Sequence, residues 1–442
     1  MEIIRKLLEK LPFPVIAGAG IVVIAAWIIR EYHGWPTYQN VFHNPLFIGI
    51  SMISLTGLLA YYLRMWRFGR ILLPESIMLS KLPQTKLKIF GREKELKILY
   101  SSWTDREKNV VYVVGLAGAG KTALITKWLS GMEKENYRGA ERVFAWSFHP
   151  GGIGDGHEVS SDEFLALALF WFGDSEPEKG TPWDKGIRLA NLVRRYRTLL
   201  ILDGIEPLQS STDGYIKDQG IKSLVNELLK SNQGLCILTS RLDVSDLANT
   251  QMKSQRITLS NLDVESSVML LKDLGVDGNS EDLRDTALEY DGHALALTLL
   301  GGYLNVVHEG DVRKRMLIPT ITDKERIGEQ AIRVMEYYEK DLAGEPELNI
   351  LYMIGLFDRP VDTSVIEEML HKPPIEGLTS ELTSIPKDKW KYALKSLRDR
   401  GLLFEEKQSD TNTIDCHALV RECFGYKFRQ KNPEGWREAH SY

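Results

Sequence analysis

Hydrophobic and polar positions follow three patterns along the chain, and each pattern predicts a different kind of structure. Residues 13–29 and 46–63 are uncharged apolar runs that would be about 25–27 Å long as helices, enough to span a hydrocarbon core. Through residues 109–260, short apolar runs alternate with amphipathic stretches, which predicts a parallel sheet with helices on both faces. Residues 261–330 then carry apolar positions at helical spacing, which predicts a helical domain.

The first 70 residues are predicted to form a transmembrane hairpin of two helices, followed by a linker at residues 71–88. Basic residues flank this hairpin on its outer sides: Arg5, Lys6, Lys10, Arg64, Arg67 and Arg70. The loop between the helices has only Arg30, which Glu31 offsets, so the positive-inside rule places both termini and the domains after the hairpin in the cytoplasm. We therefore expect a multi-pass protein of the cell membrane, with the lipid bilayer as a partner.

Two alternatives remain for the apolar runs. The basic start and small residues of the first run also fit a cleaved signal peptide, in which case the second run would anchor an exported domain. The pair could instead be a buried core hairpin, although uncharged runs of this length favour a membrane. Neither predicted helix carries an ionisable residue mid-membrane, so no ion or proton path is expected through a single copy.

A glycine-rich loop between a predicted strand and a predicted helix has the pattern Gly-x-x-x-x-Gly-Lys-Thr. Its residues are Gly115, Leu116, Ala117, Gly118, Ala119, Gly120, Lys121 and Thr122. Glycine permits backbone conformations that a Cβ forbids, so the loop N–H groups can point at phosphate oxygens. The helix that follows adds its own free N–H groups and the positive end of its dipole. The pattern predicts an ATP or ADP site in which Lys121 reaches the β- and γ-phosphates and Thr122 binds Mg²⁺.

Polar residues end two later apolar strands, at the edge of the sheet where the glycine loop is expected. Asp203 follows a continuous apolar strand and is predicted to hold Mg²⁺, although it could instead be a helix N-cap. Glu206 is predicted to polarise an attacking water, provided that the loop before Pro207 gives it the reach. Arg241 ends the next apolar strand and is predicted to sense a γ-phosphate, with a surface arginine as the alternative. Together with Lys121, these residues form the predicted catalytic set.

The C-terminal third is predicted to be a winged-helix domain at residues 331–430. Two helices precede an amphipathic helix at residues 388–400, and two predicted strands, residues 401–406 and 413–417, would form the wing. Winged helices often bind DNA, but the charges here are mixed and no basic stripe follows the third helix, so DNA is not an expected partner. Residues 431–442 are predicted to start a truncated or short C-terminal segment.

Composition adds little to the predicted fold and function. The chain has 442 residues, 43% of them hydrophobic and 26% charged, which is ordinary for a globular protein of two or three domains. Its net charge of −5 indicates no general affinity for nucleic acid. The three cysteines have neither metal-ligand nor disulfide spacing, so a reducing compartment fits the part of the chain that carries them.

The order of the motifs resembles the STAND class of signalling ATPases, near its NB-ARC and NACHT groups, over residues 89–430. The resemblance rests on Phe90–Glu93, Gly115–Thr122, Leu199–Glu206, Thr239–Arg241, Leu259, Leu262, Glu265, Asp291–Leu297 and Asp415–Val420. It implies that residues 89–260 are the P-loop nucleotide-binding domain, an α/β three-layer sandwich. It also implies that residues 261–330 close over the nucleotide.

Specific residue roles follow from this resemblance alone. Gly91 and Arg92 would line the adenine and ribose side, and Arg241 would be the sensor arginine. Ala294 stands where NB-ARC members have a proline that packs on adenine. His417, in the segment that resembles the MHD motif, would contact the β-phosphate of ADP and hold a resting state, and Ala418 stands where that motif has its aspartate.

The sequence therefore predicts a membrane-anchored, STAND-type ATP switch. ADP would hold it closed, ATP would drive assembly into a homo-oligomer, and slow hydrolysis would reset it, with the membrane hairpin as the output, for example in defence or stress signalling. The activating trigger or sensor partner is not evident. The alternatives are a non-hydrolysing membrane scaffold, a membrane-bound winged-helix transcription regulator, and an AAA-type remodelling machine.

Overall fold

The computed structural model describes residues 74–82, 88–148, 160–318, 329–357, 360–404 and 413–441. The chain divides into two compact units: Leu73–Gly131 with Glu141–Tyr442, and Met1–Leu72 with Met132–Ala140. In the second of these units, the structure describes only Met132–Ala140, which comprise the end of a helix and a 3-10 turn at Asn136–Gly139. All features below belong to the first unit unless stated.

The two predicted transmembrane helices, residues 13–29 and 46–63, lie outside the described residues. Across the ranges that the structure does describe, no helix combines the length and the apolar character needed to cross a membrane. The membrane hairpin therefore stays a prediction from the sequence.

A six-stranded parallel sheet forms the centre of the N-terminal half, as the alternating pattern predicts. Its strands are β1 (Ile77–Lys81), β2 (Val110–Gly115), β3 (Arg142–Ser147), β4 (Thr198–Asp203), β5 (Leu235–Ser240) and β6 (Ser254–Leu259). They are ordered β1-β3-β4-β5-β2-β6. The central strands β2, β4 and β5 are buried along their whole length because helices cover both faces, which is why their sequences are continuous apolar runs.

Strand order brings the predicted site together. β5 lies between β2 and β4 and pairs with both, so the glycine loop after β2 and the acidic end of β4 are separated by one strand. Because the strands are parallel, all their carboxyl ends meet at one edge of the sheet. The polar end of β5 therefore lies between the two predicted halves of the site.

Strand β1 was not expected, because the sequence predicts residues 71–88 to be a linker. A 3-10 turn at Pro74–Ser76 leads into β1, which pairs parallel with β3 at the edge of the sheet. The run is five residues long, too short to show a periodicity that distinguishes an edge strand from a linker.

Helices cover the sheet, and the chain after β6 is mainly helical. In the N-terminal half they are α1 (Glu93–Thr104), α2 (Lys121–Lys134), α3 (Asp162–Trp171), α4 (Pro182–Val193) and α5 (Gln219–Lys230). The helical domain contains α6 (Val264–Asp273), α7 (Ser280–Glu289) and α8 (Ala294–His308). The C-terminal third contains α9 (Glu329–Asp341), α10 (Pro346–Ile354), α11 (Thr363–His371), α12 (Lys387–Asp399), α13 (Ala418–Lys431) and α14 (Pro433–Ala439).

One hydrophobic core runs through the helical domain and the C-terminal third, from Leu270 to Ala439. Tyr338 of α9 illustrates the continuity, since its buried hydroxyl lies 3.0 Å from the carbonyl oxygen of Leu299 and 3.1 Å from that of Arg400. The helical domain and the C-terminal third therefore share one hydrophobic core, although the sequence predicts them as separate domains.

The structure describes only part of the predicted wing. Residues 405–412 lie outside the described part, and the strand β8 (Thr413–Ile414) pairs antiparallel with β7 (Val361–Asp362). One backbone hydrogen bond, from the Phe404 N–H to the Asp415 carbonyl at 2.9 Å, joins the two expected wing strands. The third predicted helix is found as α12 at Lys387–Asp399, close to its predicted bounds, although α11 at Thr363–His371, which was not predicted, precedes it. The winged-helix assignment stays a prediction.

Two glycines let helices α10 and α13 touch through their backbones. A Cβ placed on Gly425 would lie 2.5 Å from the carbonyl oxygen of Gly355, far inside van der Waals contact. Glycine in a helix interior costs about 1 kcal/mol relative to alanine, so the close approach must offset that cost.

We predict that Gly425→Ala destabilises the chain by about 1–3 kcal/mol, the usual cost of overpacking, even though alanine is the better helix former. Thermal melting of the full chain measures this. The control is Tyr426→Ala on the exposed side of the same helix, which should change stability by less than about 0.5 kcal/mol. A Gly425→Ala protein at least as stable as the wild type would contradict the backbone contact.

Candidate functional site

The glycine loop joins the end of β2 to the start of α2 in an arrangement that requires its glycines. Gly118 and Gly120 have φ of +72° and +95°, in the left-handed region that disfavours other residues. Gly115 approaches β6 so closely that a Cβ would lie 2.7 Å from the carbonyl oxygen of Leu259. The loop geometry is therefore one that larger residues at these positions would break.

Lys121 opens helix α2 and turns back over the loop. Its ammonium donates to the carbonyl oxygens of Gly115 at 2.8 Å and Leu116 at 3.0 Å. Burial lowers the pKa of Lys121, and the nearby carboxyl groups of Glu206 and Asp203 oppose that shift. The lysine thus faces both predicted acidic residues.

Asp203 is fully buried and hydrogen-bonded by hydroxyl groups from three elements. Thr122 Oγ1 lies 3.1 and 3.0 Å from its two carboxylate oxygens. Thr239 Oγ1 donates to Oδ1 at 2.6 Å and accepts the Gly204 N–H at 2.8 Å, and Ser147 Oγ lies 3.3 Å from Oδ2. The two predicted metal ligands, Thr122 and Asp203, are thus adjacent.

Glu206 and Arg241 form an ion pair, which the sequence does not predict. Arg241 Nε lies 2.9 Å from Glu206 Oε1, while the other guanidinium nitrogens face Glu422 of α13. Burial would lower the pKa of Arg241, but Glu422 and Glu206 together raise it above its ordinary value. Within the described residues, Glu206 Oε2 is buried without a hydrogen-bond partner.

Gly91 and Arg92 take part in packing around the loop. A Cβ on Gly91 would lie 2.3 Å from Ser266 Oγ, so this residue lies against α6. The buried Arg92 guanidinium donates to the carbonyl oxygens of Ala119 at 3.2 Å and Ser260 at 2.6 Å. Arg92 therefore holds the glycine loop to the end of β6.

A cavity of about 270 Å³ lies above the loop, between the sheet edge, α8 and the start of α13. The predicted site residues that line it are Arg92, Ala117, Gly118, Ala119, Gly120, Lys121, Thr122, Glu206, Arg241, Ala294 and His417. Apolar side chains form another part of the wall: Ile89, Phe90, Leu262, Leu270, Leu295, Leu403 and Phe404. Gly91, Gly115, Leu116 and Asp203 are not among the lining residues.

His293 is a residue that the sequence reasoning missed. It is 3% exposed and caps helix α8, accepting the Ala296 N–H on Nδ1 at 3.2 Å. Its Nε2 therefore carries the proton and donates to the carbonyl oxygen of Ala117 at 2.8 Å. The Leu295 N–H also reaches the Gly118 carbonyl at 3.2 Å, so α8 is bonded directly to the loop. Burial lowers the pKa of His293, which favours this neutral form.

His417 lines the cavity from the start of α13. It caps helix α13, with Nδ1 accepting the Leu419 N–H at 3.1 Å. Asp415, just before it, pairs with Arg421 at 2.5 Å. The structure thus brings His417 to the loop, as the resemblance implies, while its role toward a phosphate stays a prediction.

The residues present fit a nucleotide with Mg²⁺. The glycine loop lines the cavity with Gly118 and Gly120 at positive φ, a backbone shape that can point N–H groups at phosphate oxygens. Lys121 supplies a positive charge for phosphate oxygens, and Thr122 with Asp203 supplies the oxygen ligands that Mg²⁺ prefers. When bound, the metal would neutralise phosphate charge.

Comparisons with known proteins agree with this geometry. The family model described as the NACHT domain matches residues 109–274. Over these residues, which include the glycine loop and the strands around it, the chain is similar to a NACHT domain. No curated protein matches the chain.

Among solved structures, a signal transduction ATPase with numerous domains from Pyrococcus horikoshii, which has a tetratricopeptide repeat sensor, matches with a TM-score of 0.50. The two sequences are 19% identical, so this likeness shows the fold alone. The match covers 81% of this chain and 45% of that one, so this chain spans less than half of its length.

Two further structures are more distant. A Walker-type ATPase of Pyrococcus abyssi has a TM-score of 0.37 at 18% identity, covering 78% of this chain and 99% of that one. The Orc1 protein of Aeropyrum pernix, solved in complex with DNA, has a TM-score of 0.37 at 16% identity. This match covers 77% of this chain and 93% of that one. Likeness at this level carries no argument about function.

We predict that His293→Ala weakens ADP binding about tenfold, because a buried hydrogen bond that orients the loop is lost. His293→Asn keeps a side-chain acceptor for the cap but is too short for Ala117, so it should lose affinity similarly while melting closer to the wild type. Titration with a fluorescent ADP and thermal melting give the two readouts. His308→Ala at the far end of α8 is the control. Wild-type affinity in His293→Asn would show that the bond to Ala117 has no role.

Proposed function

We propose that this chain is a nucleotide-controlled STAND-type switch, closed with ADP and assembled into a homo-oligomer with ATP. The observation that carries the proposal is the cavity itself. The glycine loop, the start of α8 and the start of α13 all line it, so one small ligand would contact three regions of the chain at once. A ligand that contacts several regions shifts their arrangement by its different affinity for each arrangement.

Each charged residue then has a task in the switch. Lys121 binds the terminal phosphates, and Thr122 with Asp203 holds Mg²⁺. Glu206 orients a water for slow hydrolysis, and its buried Oε2 is an available acceptor for that water. Arg241 reads the γ-phosphate, and His417 reads the β-phosphate of ADP.

The apolar wall supports a base-binding role for the other end of the cavity. Phe90 comes from the segment before α1, Leu262 from the start of the helical domain, and Phe404 from the segment after α12. Flat apolar surfaces of this kind suit a nucleobase. Ala294 also lines this cavity, at the position where the resemblance places an adenine contact.

The remaining parts of the proposal rest on the sequence. The chain would be anchored in the cell membrane by helices at residues 13–29 and 46–63, with its ATPase in the cytoplasm. Oligomerisation would gather these hairpins, and the gathered hairpins would be the output of the switch.

We predict that Lys121→Ala weakens binding of ADP and ATP at least tenfold, since it removes a partly buried charge that faces the phosphates. Isothermal titration with the detergent-solubilised chain measures both affinities. Lys127→Ala, on the exposed face of the same helix, is the matched control and should bind as the wild type does. Unchanged affinity in Lys121→Ala would refute the nucleotide site.

We also predict that a non-hydrolysable ATP analogue shifts the detergent-solubilised chain to a larger species, whereas ADP does not. Light scattering after size exclusion measures the mass. Glu206→Gln should reach the same species with ATP itself and hold it longer, because hydrolysis is slowed. No shift with the analogue, and no phosphate release from the wild type at any size, would favour the non-hydrolysing scaffold.

A further inference from the structure

The guanidinium of Arg241 lies between two carboxylates from different parts of the chain. Nε pairs with Glu206 Oε1 at 2.9 Å, in the segment after β4. Nη2 lies 2.8 Å from Glu422 Oε1, and Nη1 lies 3.5 Å from Glu422 Oε2, so the Glu422 carboxylate occupies the fork of the guanidinium. Glu422 is 181 residues away in sequence, on α13.

This cluster belongs to the phosphate end of the cavity. Arg241 and Glu206 line the cavity together with the glycine loop. Lys121, the predicted phosphate-binding lysine, lines the same cavity as Arg241 and Glu206.

A carboxylate and a phosphate compete for the same guanidinium donors. Each presents two oxygen atoms, planar in the carboxylate and on a tetrahedral phosphorus in the phosphate, that can bind an arginine fork through two parallel N–H bonds. The Nη1–Nη2 fork of Arg241 cannot hold both Glu422 and a γ-phosphate through paired bonds. ATP must therefore displace Glu422 to use this fork, whereas ADP has no γ-phosphate and leaves the ion pair intact.

We infer that Glu422 is the residue that makes this site prefer ADP over ATP, by occupying the Arg241 fork from helix α13. The inference rests on the proposed nucleotide function and names the residue that discriminates ADP from ATP.

The position of Glu422 links this preference to the conformation of α13. The same helix begins beside the cavity at His417, one turn before Glu422. Since binding free energies are reciprocal, ATP that takes Arg241 from Glu422 loosens α13, and any event that loosens α13 raises ATP affinity by the same factor.

The decisive experiment compares the affinities of ADP and of a non-hydrolysable ATP analogue, with Mg²⁺, for the full chain and Glu422→Gln. Glutamine keeps the shape of the side chain and removes its charge. Because the pair is partly exposed, we expect the analogue to bind about fivefold more tightly, with ADP affinity changed less than twofold. Glu434→Gln, an exposed charge removal on α14, is the control and should change neither affinity.

The outcomes separate this inference from the proposed function. Equal changes for both nucleotides, no change, or weaker binding of the analogue to Glu422→Gln would overturn the role of Glu422 while leaving the nucleotide site intact. A wild-type chain that binds neither nucleotide would instead overturn the proposed function, and the inference with it.

A second measurement uses the wild type and needs no substitution. Hydrogen exchange of Ala418–Lys431 should be faster with the ATP analogue than with ADP, because Glu422 has been displaced, while the buried strand β5 should exchange equally in both. Identical exchange of α13 in the two states would overturn the inference even if Glu422→Gln failed to fold.

Discussion

The site depends on one costly requirement, a carboxylate buried completely inside a protein. Asp203 has no exposed surface, and an ionised group in that position needs hydrogen bonds to offset its lost hydration. Thr122, Ser147 and Thr239 supply hydroxyl groups from the loop helix, β3 and β5. Because each hydroxyl comes from a different element, the carboxylate fixes the edge of the sheet and the start of α2 with respect to each other. The loop that would bind phosphate is thereby held next to Thr122 and Asp203, the two predicted Mg²⁺ ligands.

Around that fixed edge, polar contacts join the glycine loop and the sheet to regions far away in sequence. His293 brings the helical domain to the loop through the carbonyl of Ala117, and Glu422 brings the C-terminal third to Arg241. Contacts of this kind differ from the continuous apolar core in their response to a ligand. A phosphate competes directly for charged donors, whereas it has no affinity for packed leucines.

Much of the fold could be predicted because its signals are local. Continuous apolar strands ending in polar residues gave the sheet, and the spacing from Gly115 to Thr122 placed the loop within it. The edge strand β1 was too short to be recognised, and the ion pair of Glu206 with Arg241 required the strand order. His293 and Glu422 were missed because no local pattern marks a residue whose partner is about 180 positions away. His293 could have been noticed as an N-cap candidate before the apolar helix α8.

The glycine pair of α10 and α13 has a mechanical consequence. Side chains between two helices act as a compliant layer, because they change rotamer as the helices slide. Gly355 and Gly425 remove that layer and leave backbone against backbone, so sliding meets an immediate steric barrier. A displacement of α13 that begins near His417 is therefore opposed directly at the end of α10, without a side-chain layer between the two backbones to absorb it.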